Sequence, residues 1–228
     1  MHYINSIDTI TILDYKHISF DVWLTLIKSN PEFKSKRNQL FKSFFEIKED
    51  ILLISEKVRY YDVLCNSINE KTGKNIDTFE IYLLILQSLN VDISPIDFVK
   101  LQEFYFETEK LFLKYEPFLI DENCYKTLEY FQKKSITMNI LSNSGFIKGL
   151  TMNKLFKKNK LDAFFSFQIY SDECNLSKPN PQIFEFVFEN TKKINPISKS
   201  QILHIGDNPI ADYNGAINFG FNSLLFKN

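Results

Sequence analysis

The feature that most constrains this chain is a regular change of period along its second half. From Asp121 onward, segments with helical spacing alternate with short runs of β-branched and aliphatic residues. A helix carrying Leu128 and Phe131 precedes the run 136–141, Ile-Thr-Met-Asn-Ile-Leu, and a helix near 145–157 precedes a strand within 163–169. Pro181 opens a helix with Ile183, Phe184, Val187 and Phe188. The strand 202–205, a helix near 210–219 and the strand 223–226 follow. Strands joined by helix-length crossovers form a parallel sheet with helices over both faces. Upstream, Lys16–Phe20 reads as one more buried strand, leading into Asp21.

Between that first strand and the alternating half, the texture is helical. Asn30-Pro31 is a helix start, with Leu40, Phe41, Phe44 and Phe45 at helical spacing behind it. A second helix from about Asp50 places Leu53, Val58, Tyr61, Cys65 and Ile68 on one face and stops at Gly73. Asp77 and Glu80 make a capping box for a third, with Leu83, Leu86 and Leu89. Ser94–Asp97 opens a fourth, carrying Phe98, Leu101, Phe104, Tyr105, Thr108 and Phe112 and closed by Glu116-Pro117. The expectation is an α/β fold: a Rossmann-like parallel-sheet core from residues 1–27 and 117–228, interrupted by a helical-bundle cap over residues 28–116. An insertion after the first strand overhangs the carboxyl ends of the strands, where open α/β sheets bind ligands, and is a natural lid. The first fifteen residues have no evident role, although Ile10–Leu13 is a candidate edge strand.

Composition narrows the partners. A net charge of −1 over 228 residues gives no electrostatic footprint for nucleic acid or a membrane surface. The longest run without a charged side chain, Tyr213–Phe226, is 14 residues, too short to span a bilayer. The amino terminus lacks the basic and apolar regions of a signal peptide. Cys65, Cys124 and Cys174 are odd in number and widely spaced, as expected of reduced thiols in a cytoplasmic protein. The lysines at 148, 154, 157, 158 and 160 read as a solvated helix face. Oligomeric state is not legible.

Polar groups gather where the strands end. Asp21 follows the first strand. Ser142-Asn143-Ser144-Gly145 follows the second, with a glycine able to open a helix. Gly206-Asp207 follows the strand 202–205, with Asp212 five residues on, and Ser177-Lys178-Pro179-Asn180-Pro181 holds a lysine in a stiff turn. Two or three carboxylates at one sheet edge repel each other unless a divalent cation bridges them, and oxygen-only ligands suit Mg²⁺. A lysine and a helix N-terminus beside them favour an anion such as phosphate. Such a set suits phosphoryl transfer through an aspartyl-phosphate. Each residue also has a plainer role: Asp21 in a turn, Ser142 or Asp212 as helix caps, Trp23 as a core or cap-docking aromatic, His204 as a satisfied core histidine.

Four segments carry a family resemblance: Asp21-Val-Trp-Leu-Thr-Leu26, Leu141-Ser-Asn143, Lys178-Pro-Asn-Pro-Gln-Ile-Phe184 and Gly206-Asp-Asn-Pro-Ile-Ala-Asp212. In this order they resemble the motifs of the haloacid dehalogenase-like hydrolase superfamily, and the helical insert is similar to its cap of the first type. The resemblance implies Asp21 as nucleophile, and a Mg²⁺ site formed by Asp21, the Trp23 carbonyl and Asp207. It implies Ser142 and Asn143 at the transferring group, and Lys178 balancing its charge. Asp212 then orients Lys178 or serves the metal. The implied partner is a small phosphorylated metabolite.

One departure stands out. Phosphatases of this family carry a second Asp two residues after the nucleophile as general acid and base; here that position is Trp23. An indole N–H donates a hydrogen bond but cannot shuttle a proton, and general acid–base help is worth roughly 10²–10⁴-fold. Three readings follow. One is a Mg²⁺-dependent phosphatase or phosphotransferase with good leaving groups or an acid from the cap. Another is a 2-haloacid dehalogenase-type hydrolase, with Arg37 or Arg59 against the halide. The third is a degenerate member that binds a phosphorylated ligand without turnover.

Overall fold

A computed structural model describes residues 2–10 and 15–227. In chain order its strands are β1 (Tyr3–Ile4), β2 (His17–Phe20), β3 (Ile27–Lys28), β4 (Phe118–Leu119), β5 (Thr137–Ser142), β6 (Phe167–Tyr170), β7 (Ile202–Gly206) and β8 (Asn222–Phe226). The α-helices are α1 (Pro31–Phe44), α2 (Ile51–Thr72), α3 (Thr78–Ser88), α4 (Phe98–Lys114), α5 (Cys124–Lys133), α6 (Gly149–Lys158), α7 (Ser171–Cys174), α8 (Pro181–Ile194) and α9 (Gly215–Phe219). The main sheet is parallel in the order β1-β8-β7-β2-β5-β6, with β2 at its centre. The fold is therefore α/β with a Rossmann-like core. The edge strand beside β8 is Tyr3–Ile4; of the expected Ile10–Leu13 strand, Thr11–Leu13 lie outside the described residues.

Strand alternation assigns each sheet face. Ile18, Phe20, Met138, Ile140, Leu203 and Ile205 join a core with α5 and α6 through Leu128, Phe131, Met152, Leu155 and Phe156. On the other face Leu141 and Ile202 meet α8 and α9 through Ile183, Phe184, Val187 and Ala216. The strand positions between the apolar residues are polar yet fully buried: His17, Ser19, Asn139 and His204. They are satisfied side chain to side chain, with His17 Nε2 2.8 Å from Asn139 Oδ1 and Nδ1 2.7 Å from Thr137 Oγ1. Burial pushes the His17 imidazole down to about 4, so the ring is neutral.

Helices α1–α4 enclose a second, aromatic core in which Phe41, Phe45, Tyr82 and Phe104 meet edge to face or tilted. Their starts follow local capping chemistry: Asn30, Asp50 and Asp77 accept from Glu32 N, Leu52 N and Phe79 N. The two crossings between sheet and cap are paired as the antiparallel ribbon β3–β4. Among the described residues no helix is long and apolar enough to cross a membrane. All three cysteines are free.

Several sequence expectations need correction. The α2 face keeps Val58 and Cys65 buried as expected, but at its ends Ile54 and Asn69 are buried in place of Leu53 and Ile68, which are exposed; Asn69 Oδ1 accepts from Ile76 N and closes the turn after Gly73. Phe98 is exposed, since Asp97 is the N-cap and starts α4 at that residue. Gly145 does not open a helix. The chain continues as a loop to Lys148, because Phe146 inserts into the cap core and stacks on Tyr82. The strand expected within 163–169 begins only at Phe167, after a helical turn over Asp162–Phe164. The helix expected near 210–219 is present, but its first part, Pro209–Asn214, is π-helical and runs into α9. The basic segment is exposed at Lys154, Lys157, Lys158 and Lys160, as expected, and it is also paired. Lys148 pairs with Asp77 at 2.9 Å and Lys154 with Glu109 at 2.5 Å, while Lys158 pairs with Glu116. These pairs run along α6 and join the core to the cap.

Candidate active site

The site forms where β2, β5 and β7 end side by side. Asp21 follows β2, and its backbone N donates to Ile205 O of β7 at 2.8 Å, which fixes the carboxylate at the sheet edge. The chain then folds back sharply: Leu24 takes a left-handed conformation at φ 61°, with Leu24 N bonded to Ile27 O. This turn brings Thr25 Oγ1 within 3.3 Å of Asp21 Oδ2.

Lys178 is buried at 1% exposure and uses all three ammonium donors. Its Nζ lies 2.8 Å from Asp21 Oδ1, 2.6 Å from Asp212 Oδ1 and 2.8 Å from Leu141 O. The backbone of Lys178 is clamped by one side chain: Lys178 N donates to Asn143 Oδ1 at 2.8 Å, and Asn143 Nδ2 donates to Lys178 O at 3.1 Å. Asn143 thus places the lysine. Ser142 is buried at the end of β5 with its Oγ 3.4 Å from Asn143 O, and it does not line the cavity described below. It caps no helix either, since α6 begins seven residues later.

Asp212 approaches β7 from the turn after it. A Cβ on Gly206 would fall 2.2 Å from the Asp212 carboxyl carbon, so only glycine lets this carboxylate fold back against the strand. Its Oδ2 accepts from Asn208 N at 2.9 Å, and its Oδ1 is shared by Lys178 and by His204 Nε2 at 3.1 Å. Asn208, not Asp212, is the cap of this turn, accepting from Ile210 N and Ala211 N. His204 is neutral, its imidazole pushed down by burial. An ionised Asp212 requires the proton on Nε2, so Nδ1 accepts from Ser19 Oγ at 3.1 Å. From its place inside a strand His204 reads as a core residue. The buried line Ser19–His204–Asp212–Lys178–Asp21 ties it to the site.

The charges do not balance. Asp21, Asp207 and Asp212 offer carboxylate oxygens within 4.8 Å of one another, against one ammonium. Burial raises Asp21 to about 6, aided by Asp212 and opposed by Lys178. Burial and the charges of Asp21 and Asp212 raise Asp207 to about 7. Asp212 is held below the ordinary range: burial opposes ionisation, but Lys178 and His204 overcome it. Burial also works against the Lys178 charge, yet the two carboxylates hold its pKa above normal. Oxygen ligands around surplus negative charge fit a hard divalent cation such as Mg²⁺. Of the three carboxylates Asp207 is freer than Asp212 to meet such an ion, since both Asp212 oxygens are already engaged.

Above this floor lies a cavity of about 510 Å³ between the strand ends and α1–α2. Its core side includes Asp21, Asn143, Lys178, Asp207 and Asp212; its cap side includes Arg37, Arg59, Asp62 and Glu70. Trp23 lines it as well, half-buried, with its ring 6.1 Å from Phe112 of α4. Glu70 reaches the core by accepting from Asn208 Nδ2 at 2.9 Å.

The comparisons with known proteins agree with this architecture. The magnesium-bound structure of YfnB from Bacillus subtilis, assigned as a HAD hydrolase, is similar with a TM-score of 0.67 and 17% identity, over 92% of this chain and 86% of that one. A HAD phosphatase from Thermococcus onnurineus gives 0.62 and 16%, over 93% and 86%. A 2-haloacid dehalogenase from Pseudomonas syringae gives 0.62 and 17%, over 92% and 86%. At such identities these likenesses speak for the fold. A stretch of 71 residues, 31% of this chain, is 39% identical to the Rhythmically expressed gene 2 protein of Drosophila melanogaster and spans only 27% of that protein. Residues 18–226 match the model of the haloacid dehalogenase-like hydrolases, and the chain belongs to that family.

Proposed function

We propose that this chain is a Mg²⁺-dependent phosphatase or phosphotransferase that acts on a small phosphorylated metabolite in the cytoplasm. The observation that carries the reading is the surplus of carboxylate at the strand ends, Asp21, Asp207 and Asp212 around Lys178. A halide-displacing site needs the nucleophile and its lysine but gains nothing from Asp207, whose ionisation the buried setting opposes.

Asp21 attacks phosphorus with a carboxylate oxygen, forming an aspartyl-phosphate as the bond to the leaving oxygen breaks. Lys178 holds Asp21 in place and offsets negative charge as the phosphoryl group arrives. Asp212, anchored by His204 and by the Asn208 N–H, keeps Lys178 ionised and aimed. Asp21, Asp207 and the Trp23 carbonyl would hold Mg²⁺, with Asp212 beside them, and the ion when bound supplies charge neutralisation at the phosphoryl oxygens. Ser142, buried at the end of β5 with its Oγ 3.4 Å from Asn143 O, supports Asn143 and through it the backbone of Lys178. Trp23 cannot protonate the leaving oxygen, so acyl phosphates and phosphate esters with good leaving groups are the favoured substrates. Water then attacks phosphorus, losing its proton to solvent, and the Asp21 carboxylate leaves as phosphate is released.

The same indole supports a second reading. A bulky aromatic two residues after the nucleophile suits a 2-haloacid dehalogenase, whose leaving halide needs no proton, and a solved neighbour carries that name. Phosphate release from a panel of esters and acyl phosphates, with Mg²⁺ and with EDTA, tests the first reading. Chloride release from 2-chloroacids tests the second. Silence in both leaves a ligand-binding member without turnover.

A further inference from the structure

Arg37 is held on the cap wall of the cavity and, among the described residues, has no carboxylate of its own. Its guanidinium carbon lies 4.6 Å from the Phe146 ring and 5.8 Å from the Phe33 ring. Nε and Nη2 both donate to one neutral oxygen, Asn38 Oδ1, at 3.2 and 3.1 Å, and Asn38 is itself fixed by a bond from Nδ2 to Ser55 Oγ at 3.0 Å. A guanidinium carries five N–H donors, so this arrangement leaves part of its fork unused. The nearby carboxylate, Asp62, pairs with Arg59 at 3.1 Å instead.

The contrast with the other cations of the cavity is direct. Lys178 has Asp21 and Asp212, Arg59 has Asp62, and Lys34 is exposed to solvent. Arg37 is half-buried, and among the described residues no acidic oxygen lies within ion-pair distance of it. A cation withdrawn from water beside two aromatic rings is costly without a counter-ion. Its burial depresses the guanidinium's affinity for its proton. The cavity that exposes it also exposes Asp21 and Lys178 and has room for a ligand of several heavy atoms.

We propose that Arg37 receives a second anionic group of the ligand, so that the substrates are small phosphate esters bearing an acidic tail, carboxylate or phosphate. The proposal rests on the phosphate reading of the Asp21–Lys178 end. Planar fork geometry matches either oxyanion, and the aromatic neighbours set the plane in which it is met.

The test uses three inert probes that share one phosphonate head: propylphosphonate, 3-phosphonopropionate and propane-1,3-diphosphonate. Their binding to the full chain with Mg²⁺ is measured by calorimetry for wild type, Arg37→Gln and Arg37→Lys. In wild type the two acidic-tailed probes should bind roughly 10–100-fold tighter than propylphosphonate. Arg37→Gln should remove that margin and leave propylphosphonate unchanged, which also shows that the variant is folded. Should Arg37→Gln not fold, Arg37→Lys is read instead, and it should lose part of the margin. The tighter of the two acidic probes identifies the tail. Equal binding of all three to wild type overturns the subsite while the phosphate reading stands. A uniform loss across all three in Arg37→Gln also overturns it, by making Arg37 structural. No binding of any probe removes the phosphate reading and this proposal together.

Discussion

Lys178 Nζ stands 2.8 Å from Asp21 Oδ1, a contact between residues 157 positions apart that fastens the turn before α8 to the end of the central strand. Because Asp212 shares the same ammonium at 2.6 Å, the lysine to which the proposed mechanism gives the phosphoryl charge is also the link holding two buried carboxylates together. Removing it leaves both without a counter-charge. Lys178→Met should destabilise the fold by roughly 3–5 kcal/mol. Urea unfolding should also show the deficit shrinking as the pH is lowered and Asp21 takes up a proton. A variant as stable as wild type at pH 8 would show that the lysine is not carrying the pair.

Stability should depend on pH in a direction set by the raised carboxyls. Asp21 and Asp207 move from 3.8 to about 6 and about 7 on folding. Between those values the folded chain holds protons that the unfolded chain has released, so stability falls as pH rises through this window and stays low above it. Asp212, held below the ordinary range, contributes the opposite sign, present above 3.8 and lost as pH falls through its folded value. Metal-free protein should thus melt progressively lower from about pH 4 to 7, and Mg²⁺ should restore several degrees at pH 7.5. Asp207→Asn should flatten the slope and lose the Mg²⁺ response. Melting curves with EDTA and with Mg²⁺ decide this; an identical Mg²⁺ effect in Asp207→Asn would remove Asp207 from the metal site.

Trp23 sits where a proton-transferring carboxyl would serve hydrolysis. Trp23→Asp should raise phosphate release from a simple alkyl ester at least tenfold, toward the roughly 10²–10⁴-fold worth of general acid–base help. It should also lower stability by about 1–3 kcal/mol, since the indole covers Phe112. Steady-state rates on an alkyl phosphate and on an acyl phosphate separate the effects, because the acyl phosphate needs no acid. No gain on the alkyl ester would mean that the pocket, not proton transfer, limits the reaction.

The seam along α6 should hold the cap down. Glu109 is buried and accepts from Thr151 Oγ1 and Lys154 Nζ, both at 2.5 Å, while Tyr105 Oη lies 2.7 Å from Thr151 Oγ1. Glu109→Ala strands the Thr151 hydroxyl's partner network and should cost about 2–3 kcal/mol. Amide exchange should quicken in α4 and α6 and remain unchanged at the β7–β8 edge. Uniform acceleration would assign Glu109 to global stability alone.

How much of this was legible in the chain follows from where each interaction closes. Asp21, Lys178, Asp207 and Asp212 stand beside glycines, prolines and strand ends, so local spacing announces them, and the parallel order of strands then brings their elements to one edge. His204 was not legible as part of the site. Inside a strand it reads as core, and its link to Asp212 appears only once β7 is paired with β2 and the turn after it folds back over Gly206. Lys154, Lys157, Lys158 and Lys160 are exposed as their spacing suggests, but the ion-pair partners of Lys148, Lys154 and Lys158 were hidden for the same reason: Asp77, Glu109 and Glu116 lie in or just after the cap, beyond any helical spacing. Gly145 suggested a helix start, but Phe146 gains more by filling the cap core than by beginning α6 early. Arg37 was visible as one of two arginines; its missing counter-ion was not.

The most direct test of the account is phosphate release from small esters and acyl phosphates, with Mg²⁺ or EDTA, by wild type and by Asp21→Asn. With Asp21 as nucleophile, release should depend on Mg²⁺ and fall by about three orders of magnitude or more in a folded Asp21→Asn protein. Release that persists in that variant, or that ignores EDTA, would contradict it.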